Sequence, residues 1–483
     1  MINRPFSGLR SRTNGTGKQM KTDLTTGRVR GHLIRMTIPM VWGLLAVIMM
    51  NVVDTFFVAQ LGTVQLAAIS FIFPVVMIRN ALAFGIGVGV SSVVSRAYGG
   101  RNTEKVKSYT TQALILAFAI SATFAAAGYM TIDPLFRMLG ADDDVLVHIR
   151  LYMEIWYLGC FLVVIPMVGN AAIRAMGNTK FPSYIMILIA VLNMILDPIL
   201  IFGLLGFPRL EMQGAALATV FSYSVAFFVS LYVLAFKMRI IDLRSCVTRV
   251  AESWKAILHV GIPALGSNLM SPLYMGMTTW LVARYGSEAV AGYGVATRIE
   301  AICLIVLYAL SSVMVPIVGQ NWGAGRTDRV RHAVYHAARF SLFWGLCMAA
   351  VLWVFAMPLI RLFDDDPVAV QSAFWYLMIV PVTYTLQGVL MVSANMMNGI
   401  GAPRASLMTT FARVIPVYLP PALLFSHFWG LKGLYIATAL ANILVGIGAY
   451  LWCVNKTKAA AEERNAGRKL RNNKKQKPAA LNK

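Results

Sequence analysis

Apolar runs of about twenty residues recur from one end of this chain to the other, and that recurrence limits its fold more than any other feature. A helix needs about 20 apolar residues to cross a bilayer, and twelve runs qualify. Six lie near 34–58, 66–92, 107–131, 146–170, 180–204 and 212–236, and six more near 256–283, 289–316, 331–356, 368–396, 405–427 and 431–454. Only 13% of residues are charged, about half the share of a soluble chain. The expected class is an all-α polytopic membrane protein of twelve helices, with no sizeable soluble domain.

The net charge of +23 is concentrated at the ends. Residues 1–35 carry eight Lys/Arg and one Asp, and residues 455–483 carry ten Lys/Arg and two Glu. Such tails suit flanks lying on anionic lipid headgroups rather than nucleic-acid binding. Loops after the second, fourth, sixth, eighth and tenth runs hold Arg96, Arg101, Lys105, Arg174, Lys180, Lys237, Arg244, Arg326, Arg329 and Arg404. The alternate loops hold Asp142 to Asp144 and Asp364 to Asp366. Because basic loops stay inside, both termini are expected in the cytoplasm of a prokaryotic inner membrane. The first run is too long for a signal-peptide core. Met20 opens a more ordinary start, so residues 1–19 are expected to be an extension without a structural role. The five cysteines stand alone, which predicts neither a disulfide framework nor a zinc site. No P-loop or catalytic signature is present, so ATP is not the expected driver and no enzyme activity or cofactor is expected.

The second half repeats the first at an offset of 224 residues. Pro39 maps to Pro263, DTFFVAQLG (54–62) to TTWLVARYG (278–286), YGGRNTEKV (98–106) to WGAGRTDRV (322–330), and Gly177 to Gly401. GAALAT (214–219) maps to GLYIAT (433–438) after a change in loop length. Six spans per repeat is an even number, so the halves share one orientation about an axis along the membrane normal. The expected organisation is a basic tail (1–33), a six-helix lobe (34–236), a basic linker (237–255), a second six-helix lobe (256–454) and a basic tail (455–483). Two related bundles about a central cleft form a transporter architecture.

Several motifs are familiar in this order: IPM in the first span, VDTFFVAQLG at its end, SRAYGGRN after the second, GNAAIRAMGNTKFP (169–182), LNMILDPILIFG, and VGQNWGAGR (318–326) at the repeat of the SRAYGG loop. With them the chain resembles the multidrug and toxin extrusion (MATE) family over residues 30–455. That resemblance implies two V-shaped lobes and efflux of organic cations coupled to influx of H+ or Na+. It also implies that the N-terminal lobe carries the cation coupling.

Two carboxylates stand in apolar surroundings, Asp54 and Asp197, and an ionisable group at membrane depth is a functional candidate by default. Asn193 is one helical turn before Asp197 and shares its face. Span directions bring Asp54, Asn193, Asp197 and Thr219 to a similar depth. Their oxygens suit a hard cation such as Na+, and two close carboxylates also hold a proton. The repeat acts as a control: Asp54 maps to Thr278, and Asp197 falls opposite Pro420.

Glu300 is the main acid of the second half, with two readings open: it lines a substrate cleft, or it pairs with a nearby Arg. Arg79 and Glu154 are each expected to take a structural partner. Met50, Met194, Met270, Met275, Tyr293 and Tyr308 are candidates for a plastic apolar cavity. GIGVG (85–89) reads as close helix packing, and Pro198 as a bend in the fifth span. The favoured function is antiport of a cationic or amphipathic organic compound against H+ or Na+ by a functional monomer in contact with membrane lipids. The alternatives are a lipid-linked saccharide flippase and a non-transporting scaffold.

Overall fold

The computed structural model describes residues 22–242, 249–363 and 365–476. Residues 1–21, Arg244, Cys246 and Asp364 lie outside the described residues. Among the described residues there is no strand. The helices of the first lobe are α1 (Val29–Ala59), α2 (Thr63–Gly99), α3 (Thr103–Met130), the short α4 (Ile132–Met138), α5 (Asp143–Leu158), α6 (Cys160–Ala175), α7 (Lys180–Phe202) and α8 (Glu211–Tyr232). Those of the second are α9 (Val250–Val282), α10 (Ser287–Gly323), α11 (Thr327–Arg361), α12 (Pro367–Ile379), α13 (Tyr384–Ile400), α14 (Pro403–Val414) and α15 (Leu419–Gln476).

Helices α5 and α6 form one span bent by 49°. The bend falls at Gly159, where a Cβ would lie 2.4 Å from the Val220 side chain. Helices α12 and α13 form another, interrupted by the 3-10 turn Pro381–Thr383. Helix α15 is broken at Gly430, with φ 59° and ψ −138°. Beyond the break a Cβ on Gly433 would lie 2.0 Å from the Phe425 carbonyl oxygen. The chain therefore folds back there and makes two limbs, which completes twelve spans.

The repeat recurs in backbone geometry. Gly62 and Gly286 both take positive φ, as do Gly177 (84°) and Gly401 (85°) and the pair Arg101 (57°) and Gly325 (77°). Each pair is 224 residues apart, so the two halves turn at equivalent places with the same backbone handedness. Helix α7 continues through Pro198 and stops at Gly203, φ 75°. Pro39 and Pro263 likewise lie inside continuous helices.

Within lipid there is little hydrophobic drive between helices, so close packing by small residues carries the association. The GIGVG segment does this across the two lobes. A Cβ on Gly85 would meet the Gly261 carbonyl oxygen at 2.9 Å, and one on Gly89 the Ile257 oxygen at 2.5 Å. One apolar cluster also crosses the lobes: Leu24, Val29, Leu33, Met36 and Met40 pack with Leu310, Val313, Met314 and Ile317 of α10 and Val334 of α11. The start of α1 thus lies in the core of the second lobe, whereas its far end belongs to the first.

The hydrogen bonds that join the lobes gather on the face holding the Arg/Lys-rich loops, called the basic face below. Ser92 Oγ donates to Asn398 O at 2.5 Å, Gln320 Nε2 to Ala175 O at 2.8 Å, and Trp254 Nε1 to Gln112 Oε1 at 3.0 Å. Ser108 and Ser253 pair at 3.3 Å.

Candidate ion-coupling site

The four predicted residues arrive from three helices. Asn193 and Asp197 sit one turn apart on α7, Thr219 lies on the facing α8, and Asp54 is near the end of α1. Helices α7 and α8 approach closely because Gly214 puts no side chain between them; a Cβ there would lie 2.5 Å from Leu200 O. Asn193 Nδ2 donates to Asp197 Oδ1 at 3.2 Å and to Thr219 Oγ1 at 3.4 Å. Asp197 is wholly buried and Asn193 nearly so. Asp54 is partly exposed as a residue, but its Oδ1 is buried, and its charge reaches Asp197.

Three buried oxygens in this cluster accept no hydrogen bond: Asp54 Oδ1, Asn193 Oδ1 and Asp197 Oδ2. A buried acceptor without a partner costs about 1–3 kcal/mol, and more if charged. A hard cation takes oxygen ligands of this kind, a proton held by one carboxylate donates to one further oxygen, and the donor set contains only oxygens. The residues therefore fit either ion.

Sequence reasoning missed Tyr152 of α5. It is buried and lies within electrostatic reach of Asp54, Asp197 and Arg79. A tyrosine in an apolar helix carries no sequence signal that singles it out. Neither Arg79 nor Glu154 makes an ion pair among the described residues. Arg79 stacks over Trp156, 4.7 Å from the ring centre, with Nε and Nη1 unpartnered. Helix packing turns Arg79 onto the ring face, where the π cloud takes the place of a carboxylate.

The second lobe fills the equivalent place with a neutral, satisfied network. Thr278, at the position of Asp54, pairs with Tyr418 Oη at 2.8 Å and donates to Tyr274 O at 2.8 Å. Tyr274 Oη in turn pairs with Thr438, the counterpart of Thr219, at 2.8 Å. Among the described residues Glu300 makes no ion pair, which corrects the Arg-pair reading. It accepts hydrogen bonds from the Tyr376 hydroxyl and, at 3.4 Å, from Gln387 Nε2. Arg413, stacked 5.0 Å over Tyr274, acts on it only through its field. Glu300→Leu would leave both donors buried without an acceptor. We expect a loss of about 1–3 kcal/mol per donor, read as a fall of several degrees in Tm by differential scanning fluorimetry.

The apolar cavity candidates lie on four helices. Met50 packs in the first lobe's core with Ile185 and Ile189. Tyr293 packs in the second lobe's core, 5.7 Å from the Tyr376 ring. Both are buried, at 7% and 2% exposure. Met194 and Met270 are half-buried, and Met275 and Tyr308 are exposed.

Known proteins agree with this architecture. The MatE family profile matches twice, over residues 39–199 and 263–424, again 224 residues apart at their starts. A FAD transporter from Shewanella oneidensis is 39% identical over 425 residues, covering 88% of this chain and 93% of that protein. The multidrug export protein MepA of Staphylococcus aureus is 26% identical over 430 residues, covering 87% and 92%. The crystal structure of the Vibrio cholerae MATE transporter VcmN in its bent form superposes with a TM-score of 0.85 at 29% identity, covering 92% of this chain and 99% of that one. With a duplicated family match over most of its length and the same two-lobe helical fold, this chain belongs to the MATE family of membrane transporters.

Proposed function

We propose that this protein is a secondary-active antiporter that exports small organic compounds against H+ or Na+, with the ion taken up at Asp54, Asn193, Asp197 and Thr219. The observation that carries this reading is the trio of unpartnered buried oxygens around Asp197. The satisfied hydroxyl network at the equivalent place in the second lobe supports a coupling site confined to the first. The basic face is taken as cytoplasmic on loop charge. Ion and substrate then favour different lobe arrangements, and linkage makes the coupling reciprocal. One two-lobe chain suffices as the transporting unit.

For the substrate, two chemistries stand side by side. Multidrug export proteins among the relatives support an amphipathic organic cation. The relative at 39% identity is named as a FAD transporter, which favours a flavin dinucleotide, an anion with a large aromatic ring. The deciding experiment is transport in proteoliposomes with a pH gradient and a Na+ gradient imposed separately, each tested with a cationic dye and with FAD. Movement driven by one gradient names the ion and the substrate class together. Movement of neither compound under either gradient removes the antiport reading for both and leaves the lipid-linked saccharide flippase to be tested.

A further inference from the structure

The residues just ahead of α1, Thr22–Gly27, cross the seam between the lobes as an irregular, turned strap, and both lobes hold it. From the first lobe, Met176 O accepts the Thr22 N–H at 3.1 Å. Gly177, at φ 84°, makes room for this approach; a Cβ there would lie 2.5 Å from Thr22 O. From the second lobe, Gln320 Oε1 accepts the Leu24 N–H at 3.0 Å. Asn321 Nδ2 donates to Leu24 O at 3.2 Å and Arg326 Nη1 to Thr25 O at 2.5 Å. Arg329 donates to the carbonyls of Gly27, Leu24 and Thr26 at 2.7, 3.1 and 3.0 Å, while its Nε is fixed on Asn321 Oδ1 at 2.8 Å. Leu24 is 1% exposed, in the cluster that crosses the lobes.

Gln320 is the common member. It is wholly buried on α10, and its amide nitrogen donates to Ala175 O of the first lobe while its oxygen holds the strap. Arg329 makes no ion pair among the described residues; its donors go to the backbone of a segment that has no regular structure of its own.

We propose that Gln320, Arg329 and the strap Thr22–Gly27 form a releasable clasp that closes the basic face and must open in each transport cycle. This rests on the reading of the protein as an alternating-access transporter, and adds to it the residues that gate one side. The Thr22 and Leu24 amides are two residues apart, a reach of about 7 Å, and are bound to opposite lobes. The lobes cannot part there without breaking one set of bonds. The first lobe holds the strap by one backbone bond, the second by six hydrogen bonds, four of them from guanidinium groups, which are the stronger kind. Opening therefore breaks Thr22–Met176 and Gln320–Ala175, and the strap leaves with the second lobe.

Asp23 sets the strap's turn, accepting from the Thr25 N–H at 2.8 Å and hydroxyl at 2.5 Å. Burial pushes its carboxyl up, but those bonds and the charges of Arg101 and Arg326 outweigh burial and hold it below the ordinary 3.8. Its contribution to closure is thus present above 3.8 and lost only as pH falls below it. Asp23 gives the clasp no proton switch near neutral pH.

The test uses the full chain in nanodiscs. Hydrogen exchange should show the 22–27 segment protected in the wild type, and Arg329→Ala should speed its exchange by at least about tenfold, the worth of one or two such bonds. Spin labels at the exposed basic-face positions Lys180→Cys and Arg404→Cys, with the five native cysteines replaced by alanine, should report a shift to wider lobe separation in Arg329→Ala and in Gln320→Leu. Arg329→Lys, which keeps the charge with fewer directed donors, should recover part of the closure. Arg331→Ala, an exposed neighbour outside the strap contacts, should change neither readout. A strap that exchanges like free coil in the wild type overturns the proposal. So does a freed strap in Arg329→Ala with an unchanged distance distribution, which would make it a tether and not a gate. Neither readout involves a substrate or an ion gradient, so each fails independently of the antiport reading.

Discussion

Asp197→Asn is expected to abolish gradient-driven transport while leaving the protein folded. Asparagine has the shape of aspartate and still accepts the Asn193 hydrogen bond made at 3.2 Å, so the α7–α8 packing persists. What it lacks is the charge that binds the coupling ion. If that ion shifts the lobes by the upper range of known coupling energies, driven transport falls about 100-fold or more. Exchange of substrate down its own gradient should persist, because it needs no ion. Asp54→Asn should weaken coupling in the same sense but less, since Asp54 is partly exposed. Thr278→Val, at the equivalent place in the second lobe, should leave the ion dependence unchanged. The measurement is dye or FAD flux in proteoliposomes under one imposed gradient at a time. An Asp197→Asn protein as active as the wild type would make the buried pair structural and remove the N-terminal coupling site.

The second large effect is expected where the lobes touch backbone to backbone. A Cβ on Gly99 would lie 2.0 Å from Gln320 O, and one on Gly323 2.0 Å from Arg96 O. Both opposing atoms belong to helix backbones and cannot swing aside as a side chain would. The strain is relieved by parting the lobes on the basic face. Gly99→Ala and Gly323→Ala should each cost the closed arrangement about 1–3 kcal/mol, or about 5- to 150-fold in its ratio to the open one. Gly276→Ala and Gly448→Ala, which meet open space, are the controls. The same spin-label pair across the basic face reads the outcome, and an unaltered distance distribution would show that the contact yields locally.

The class, the twelve spans and the duplication were legible in the sequence because each rests on a local or periodic property. Spans are set by apolar length, and the repeat by matched turn residues, whose positive φ at Gly177 and Gly401 shows what those glycines are for. The cluster of Asp54, Asn193, Asp197 and Thr219 was legible for a related reason. Buried polar atoms in an apolar run are few, and helix rise places them at a common depth. Orientation about a helix axis is what local sequence does not carry. The structure sets Met50 and Tyr293 in core clusters and Arg79 over the ring of Trp156.

By itself, the sequence determined the polytopic helical class, which halves correspond, and which carboxylates stand in apolar runs. Only the tertiary structure decided what those groups meet. It leaves three oxygens open in the first lobe and satisfies the equivalent hydroxyls in the second. It also places the start of α1 in the opposite lobe and threads Thr22–Gly27 across the seam. Those are contacts between residues up to about 300 positions apart, set by the packing of whole helices, and no local pattern in a chain encodes them.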